Sequence, residues 1–181
     1  LGMKSIMSEM ELHTMRGRLQ RGRMNKAARG ELFMAERVGY VFLPDGIMDI
    51  DPDEEVQAVV RLVFEKFDEL GACRAVFRDL REQQIRLPIR PHTGPQRGCL
   101  QWRDATPTTL QNILRHPIYA GVYAHGRQPA ASRTAAADEP CPPQQEWKVF
   151  LPDKLPAYIS WEKYLENRRR LWANRTRSGF R

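Results

Sequence analysis

The length, composition and charge of the chain already limit what it can be. Its 181 residues suit one domain or two small ones, and a hydrophobic fraction of 41% is enough to form a buried core. The net charge of +7 is unevenly distributed: residues 31–70 carry eleven acidic and three basic side chains, whereas residues 1–30 carry two and seven. Residues 71–128 are also basic, with nine basic and three acidic side chains. This segregation favours a polyanionic partner that only some elements contact, although a patchy solvated surface would show the same distribution.

Several classes of protein and of site are disfavoured. No apolar run approaches the roughly 20 residues of a membrane-spanning helix, and the first residues lack the apolar segment of a signal peptide. We therefore expect a cytoplasmic protein with no membrane partner. Cys73, Cys99 and Cys141 lie far apart and match no metal-binding or disulfide pattern, so we expect neither a metal nor another cofactor. The first residue, Leu1, suggests a piece of a longer protein.

The first predicted element is a long helix from Ser8 to about Arg29, because no proline interrupts this stretch. Its apolar residues are sparse, which predicts a helix that is polar over most of its circumference and has no core of its own. Arg18, Arg21 and Arg29 fall near one face of this helix, together with Asn25. We expect the helix to project towards a partner.

A β-hairpin and a core helix are predicted next. Residues 39–43 and 47–50 are predicted to be strands joined by a Pro-Asp-Gly turn. The following run predicts a helix start, with Asp51 as the cap and Pro52 at the first helical position. Gly71 is expected to end this helix. Its buried stripe would consist of Val56, Val59, Val60, Val63, Phe64 and Phe67.

The remaining elements rest on shorter signals. A helix is predicted for residues 74–84, and a loop for residues 87–98 because they contain three prolines and two glycines. The elements predicted after residue 117 are a strand at 118–124, a flexible Ala- and Pro-rich insertion at 128–145, a return strand at 147–150 and a helix capped by Ser160.

The third helix, predicted from the cap Thr106 to just before Pro117, carries the strongest functional pattern. Leu110, Ile113 and Leu114 form a narrow apolar stripe that would dock it on a core. The opposite face presents amide, hydroxyl and guanidinium groups and no acid, and such groups pair with base edges or phosphates in the major groove. An ordinary amphipathic helix is the alternative. The side chains on the polar face are Thr108, Gln111, Asn112 and Arg115, with Thr109 at the margin.

The third helix and the helix at 74–84 together resemble a helix-turn-helix pair whose turn is replaced by a long basic loop. The polar face of the third helix and the basic side chains around it therefore predict a DNA-binding surface. The residues predicted to contact DNA are Arg18, Arg21, Arg29, Arg97, Arg103, Thr106, Thr108, Thr109, Gln111, Asn112 and Arg115.

The sequence contains no recognisable active site. The four histidines show no ligand spacing, and Ser8 and Ser160 stand at predicted helix starts, where capping explains them. Tyr119 lacks the basic constellation that would activate a tyrosine nucleophile. We therefore predict no catalytic residue in this chain.

Three segments of the chain resemble the large serine recombinases, a family that includes phage integrases and transposon resolvases. They are MSEMELHTMRGRLQRGR (Met7–Arg23), VGYVFLPDGIMDIDPDEEVQAVVRLVFEKF (Val38–Phe67) and LQWRDATPTTLQNILRHPIYAGVY (Leu100–Tyr123). The resemblance implies a long helix at residues 1–30 that links an absent catalytic domain to a DNA-binding recombinase domain at residues 31–181. It also implies double-stranded DNA, the attachment site, as partner and self-association of the full-length protein.

The chain departs from the family pattern in ways that affect catalysis. The family nucleophile is a serine in a Tyr-x-Arg-x-Ser context that this sequence lacks, and the usual Cys-rich zinc ribbon is also missing from it. The sequence leaves open whether the full-length protein is an enzyme. We expect this chain alone to have no strand-cleaving activity. The predicted fold class is α+β, mostly α, with a helix-turn-helix-like pair and short β-hairpins. A helix-turn-helix transcription regulator and a non-catalytic oligomerisation scaffold are the alternatives.

Overall fold

The structure is a computed structural model that describes residues 2–32, 34, 37–91, 94–96, 98–126 and 147–174. The chain divides into two compact units, Leu1–Met34 and Ala35–Arg181. The functional assignment of residues 1–30 as a linking helix and of residues 31–181 as a recombinase domain stays a prediction. The predicted insertion at 128–145 lies outside the described residues.

The first unit consists of one long helix, α1, spanning Gly2–Ala28. It begins earlier than the predicted Ser8 and is followed by a turn in which the Gly30 N–H donates to the Ala27 carbonyl at 2.8 Å. Gly30 adopts a positive φ of 74°, which a glycine reaches without strain and which suits the end of a helix. The large apolar side chains Met10, Leu12, Met15 and Leu19 are all exposed.

The second unit begins with the predicted β-hairpin, which is confirmed. Strands β1 (Tyr40–Phe42) and β2 (Met48–Ile50) pair antiparallel, with Tyr40 opposite Ile50. Helix α2 (Glu54–Leu70) follows and ends at Gly71, as predicted. The predicted cap is wrong: Asp53 caps α2 by accepting from the Glu55 N–H, whereas the Asp51 side chain is buried and paired with an arginine.

The first residues of the loop predicted at 87–98 belong to a second hairpin. Helix α3 (Cys73–Glu82) leads into β3 (Arg86–Ile89), which pairs antiparallel with β4 (Gln101–Asp104). The loop prediction was wrong for the first part of this segment, because Pro88 lies within β3. A two-stranded sheet has only edge strands, so the missing N–H of a proline can face away from the partner strand.

Helix α4 spans Pro107–Arg115 and confirms the predicted third helix. The strand predicted at 118–124 is only partly correct: Pro117–Ala120 form a 3-10 turn, and β5 covers Tyr123–His125. His116 starts this turn, since its Nδ1 accepts from the Ile118 N–H at 3.3 Å. Strand β5 pairs antiparallel with β6 (Val149–Leu151), the predicted return strand.

Helix α5 (Trp161–Ala173) closes the second unit and is capped by Ser160 as predicted, with the Ser160 Oγ accepting from the Lys163 N–H at 3.2 Å. The observed elements are mostly helices with short antiparallel strand pairs, so the predicted fold class is confirmed. No helix among the described residues is long and apolar enough to cross a membrane.

Three tyrosines hold the core of the second unit together. The rings of Tyr40, Tyr119 and Tyr158 meet with centroid separations of 5.4 to 6.0 Å. The Tyr40 hydroxyl oxygen lies 2.9 Å from two backbone carbonyl oxygens that share its single proton, and the Tyr158 hydroxyl donates to the Gly39 carbonyl at 2.7 Å. Burial raises the pKa of all three phenols, and it raises that of Tyr158 to about 12 even though the nearby Arg61 guanidinium opposes the shift.

Candidate nucleic-acid interface

Helix α4 is fixed to the protein by its apolar stripe. Leu110, Ile113 and Leu114 are at most 2% exposed, and the helix packs between α3 and α5. At its carboxyl end the Tyr164 hydroxyl of α5 donates to the Arg115 carbonyl at 3.3 Å. The helix therefore has a defined orientation, and its other face is presented to solvent by a rigid support.

The solvent-facing side of α4 carries the predicted polar side chains. Thr108, Gln111, Asn112 and Arg115 are exposed, and Thr109 is half-buried. The helix contains no acidic residue and ends on a basic one. These groups are those that bind base edges and phosphates, and α4 brings them together on one surface.

Thr106 has the capping role that the sequence predicts for it. Its hydroxyl oxygen accepts from the Thr109 N–H at 3.1 Å and lies 2.8 Å from the Thr109 hydroxyl oxygen. Thr106 is thus the N-cap of α4. Exposed N–H groups at such a helix start can still face an anion.

A cleft of about 140 Å³ lies beside α4 and contains two arginines that sequence reasoning missed. Arg37 and Arg90 line it together with Thr109 and Asn112 of α4. The Arg37 guanidinium is close enough to Tyr119 to lower its pKa, which opposes the larger rise that burial causes. No periodic pattern in the sequence points to Arg37 or Arg90, because only the tertiary fold brings them to α4.

Arg90 joins the two hairpins of the second unit. Its Nε and Nη2 both donate to the Asp51 Oδ2, at 3.0 and 2.7 Å, and its Nη1 donates to the Gly98 carbonyl at 3.0 Å. The Asp51 side chain is only 2% exposed, and its Oδ1 also accepts from the Asp53 N–H at 3.2 Å. This ion pair fixes the end of β3 against the start of α2.

The β3–β4 hairpin carries Arg103 on its exposed surface. The Arg103 Nε and Nη2 donate to the Gln101 Oε1 at 3.1 and 2.6 Å, which holds the guanidinium along the strand. Arg97, also predicted to contact DNA, lies outside the described residues.

The basic residues predicted on the first unit are all exposed. Arg18 and Arg21 are three residues apart on α1, and the Arg21 Nε donates to the Gly17 carbonyl at 3.4 Å. Arg29 lies just after the helix, where it forms an ion pair with Glu31 at 2.8 Å. Arg18 and Arg21 therefore share a helix surface, whereas Arg29 belongs to the turn.

The side chains that could suggest a nucleophile or a metal site are buried or lie apart from one another. The Tyr119 hydroxyl donates to the Val38 carbonyl at 2.9 Å, its ring is 1% exposed, and burial raises its pKa, so it is poorly placed to act as a nucleophile. Burial also raises the pKa of the Cys73 thiol. Within the described part of the chain, no three His, Cys, Asp or Glu side chains cluster as a metal site would require.

The sequence model of the Recombinase family matches residues 54–174, from the start of α2 to the end of α5. The chain belongs to the Recombinase family. This confirms the resemblance to the large serine recombinases. A curated relative, the uncharacterized protein y4bA/y4pH of Sinorhizobium fredii (strain NBRC 101917 / NGR234), is 40% identical over 97% of the chain. The chain spans 26% of that relative's length.

Two solved structures share the fold of this Recombinase chain. One is an LSR–DNA complex, with a TM-score of 0.55 and 16% identity over 84% of this chain and 38% of the other. The second comes from work on the sequence requirements of the Listeria innocua prophage attP site, with a TM-score of 0.52 and 15% identity over 87% and 50% of the two chains. At these identities the likeness establishes the fold.

Proposed function

We propose that this chain is the DNA-binding part of a serine site-specific recombinase and holds one half of an attachment site during integration or resolution. Residues 1–30 would link it to a catalytic domain outside this chain, and residues 31–181 would form the recombinase domain. Membership of the Recombinase family and the shared fold of an LSR–DNA complex support this proposal. Strand cleavage would then depend on residues outside the chain.

The observation that carries the proposal is the exposed face of α4. Gln111 and Asn112 have the amide groups that pair with adenine at two atoms, and Arg115 has the guanidinium that pairs with guanine. A helix held by a buried stripe on its opposite side can enter the major groove without reorganising the protein. Base contacts from this face would set the specificity, while basic side chains around it would set the affinity.

The cleft beside α4 is suited to a backbone phosphate. Arg37 lines it next to Asn112 and supplies the positive charge, whereas the charge of Arg90 is already paired with the buried Asp51. Arginine pairs well with phosphate because its planar guanidinium can donate two parallel hydrogen bonds. A phosphate bound here would fix the register of α4 on the duplex without reading sequence.

The decisive experiment separates sequence reading from folding. Duplexes that the chain binds best are selected from a random pool, and the affinity for a selected duplex is compared with that for an unrelated one. Gln111→Ala and Arg115→Ala should each weaken binding to the selected duplex by roughly 1–3 kcal/mol if they make two-point base contacts. Both variants should keep their thermal stability, because exposed substitutions usually cost within ~0.5 kcal/mol.

Two controls make that experiment interpretable. Leu114→Ala truncates a fully buried side chain and should destabilise the fold by ~2–5 kcal/mol. Arg169→Ala removes one positive charge from an exposed position on α5 and should leave the ratio of specific to unrelated binding unchanged. If Gln111→Ala and Arg115→Ala also keep the wild-type ratio, α4 does not read the site.

The exposed apolar side chains of α1 support a second function, the self-association of the full-length protein. Leu12, Met15 and Leu19 follow an i, i+3, i+7 spacing, so they lie on one side of α1, and they are 48% to 63% exposed. By the same helical geometry Arg21 lies almost opposite this apolar side and Arg18 lies on the flank between them, so the two arginines form a basic side next to it. We propose that the apolar side pairs with a second copy of the chain and that the basic side contacts DNA phosphates.

A further inference from the structure

Helix α3 carries a basic flank that the sequence predictions did not include. Arg74, Arg78 and Arg81 border a shallow groove of about 460 Å³, together with Phe77 and Glu82. The Arg81 guanidinium lies over the Phe77 ring, 5.7 Å from its centroid. No hydrogen bond or ion pair joins the guanidinium of Arg74 or Arg78 to another residue that the structure describes.

The arginine flank faces away from α2. On α3 the core side carries the buried Val76 and Leu80, and the side turned to α2 carries Asp79, which pairs with Lys66 at 3.5 Å. With about 3.6 residues per turn, Arg74, Arg78 and Arg81 fall within one narrow sector on the other side of the core stripe from Asp79. Asp79 is therefore turned away from the three arginines, whereas Glu82, at the end of α3, lies beside Arg78 in the same groove.

The flank is adjacent to the helix proposed to read DNA. At the start of α3 the Cys73 thiol lies 3.9 Å from the Pro107 carbonyl at the start of α4. The Arg115 guanidinium is also close enough to Cys73 to lower its pKa, against the rise caused by burial. Arg74 directly follows Cys73, so the arginine flank begins at the end of α3 that contacts the start of α4.

We propose that the α3 flank formed by Arg74, Arg78 and Arg81 binds backbone phosphates of the duplex that α4 enters. The inference rests on the proposed function of α4. In helix-turn-helix proteins the helix that supports the reading helix crosses the DNA backbone. Guanidinium groups repeated about once per helical turn along that helix can contact successive phosphates, because each binds phosphate as a planar fork. This contact would add affinity for every sequence and would add no specificity.

The test compares the salt dependence of DNA binding by the full chain and its variants. The logarithm of affinity for a duplex of unrelated sequence is measured against the logarithm of salt concentration between about 50 and 200 mM. Removing two phosphate contacts with Arg74→Ala/Arg78→Ala should make the slope shallower by about 1.8. The ratio of specific to unrelated binding and the thermal stability should not change. Arg74→Lys/Arg78→Lys retains both charges and should restore the wild-type slope.

A charge-matched control identifies the α3 flank as the cause. Lys154→Ala/Arg169→Ala removes two exposed positive charges from other elements and should change the slope much less. Equal slopes for the two double alanine variants would overturn the proposal, since they would reflect net charge alone. If the wild-type chain bound no duplex at all, the proposed DNA-binding function itself would be refuted. If the wild-type chain binds DNA and Arg74→Ala/Arg78→Ala leaves the slope unchanged, only the proposal that the α3 flank binds phosphates is refuted. That result would favour an acidic protein as the partner of the flank.

Discussion

The ion pair between Asp51 and Arg90 allows a quantitative test of how the support of α4 is held. The Asp51 side chain is 2% exposed and the Arg90 side chain is 23% exposed. Arg90→Ala would leave a buried carboxylate without its counter-charge, for which a loss of about 3–5 kcal/mol in the free energy of unfolding is expected. Asp51→Ala leaves a guanidinium that can partly reach water, so a smaller loss of roughly 1–3 kcal/mol is expected.

The chain contains a matched control for this measurement. Arg86 and Asp104 pair across the β3–β4 hairpin at 3.5 Å, but their side chains are 64% and 86% exposed. An exposed pair of this kind contributes about 0–1 kcal/mol, so Arg86→Ala should hardly change stability. The two arginines lie on the same short segment, which makes their local surroundings comparable.

The assay is urea unfolding followed by tryptophan fluorescence, because all four tryptophans lie within residues 102–172. A double-mutant cycle with Asp51→Ala/Arg90→Ala isolates the coupling of the pair, for which about 1–3 kcal/mol is expected. A loss of stability in Arg90→Ala no larger than that in Arg86→Ala would show that the buried pair does not hold the fold. Additive effects of Asp51→Ala and Arg90→Ala would show that the two side chains do not stabilise each other.

Two further predictions concern the tyrosine cluster and α1. The pKa of Tyr158 is raised to about 12 in the folded chain, so the unfolded chain loses this proton first as pH rises. The free energy of unfolding should therefore fall above pH about 10. Tyr158→Phe should make that fall less steep when unfolding is measured as a function of pH. A fall that is unchanged in Tyr158→Phe would assign it to other groups. Leu12→Gln/Leu19→Gln should lower the self-association of the full-length protein in sedimentation experiments, whereas Met10→Gln on the other side of α1 should not. Equal effects of the double variant and of Met10→Gln would argue against a specific apolar side.

The elements that the sequence predicts well are those with strong local signals. Helix α4 has a capping threonine, a proline at its first position and a clear apolar spacing, so both its limits and its buried stripe could be predicted. The same holds for α2, except for its cap. The sequence predicts Asp51 as the cap, but the Asp51 carboxylate pairs with Arg90, 39 residues away, and Asp53 caps the helix instead.

The remaining features depend on contacts between distant segments. Pro88 predicts a loop on local grounds, yet Pro88 is paired opposite Trp102 in a two-stranded sheet. The cleft next to α4 combines Arg37, Arg90 and Asn112 from three separate segments, and no periodicity connects them. The arginines of α3 were visible in the sequence, but their position beside α4 depends on how the two helices pack.

The pairing of β5 with β6 has a consequence for how this domain can vary in length. His125 stands opposite Val149, so the chain leaves and re-enters the fold at two neighbouring positions, whatever lies between them. Joining the ends of a flexible loop costs only about 0.6 kcal/mol more each time its length doubles. Segments of very different size could therefore be exchanged at this point, which makes it a practical position for inserting a tag or a second domain while α4 and its support keep their geometry.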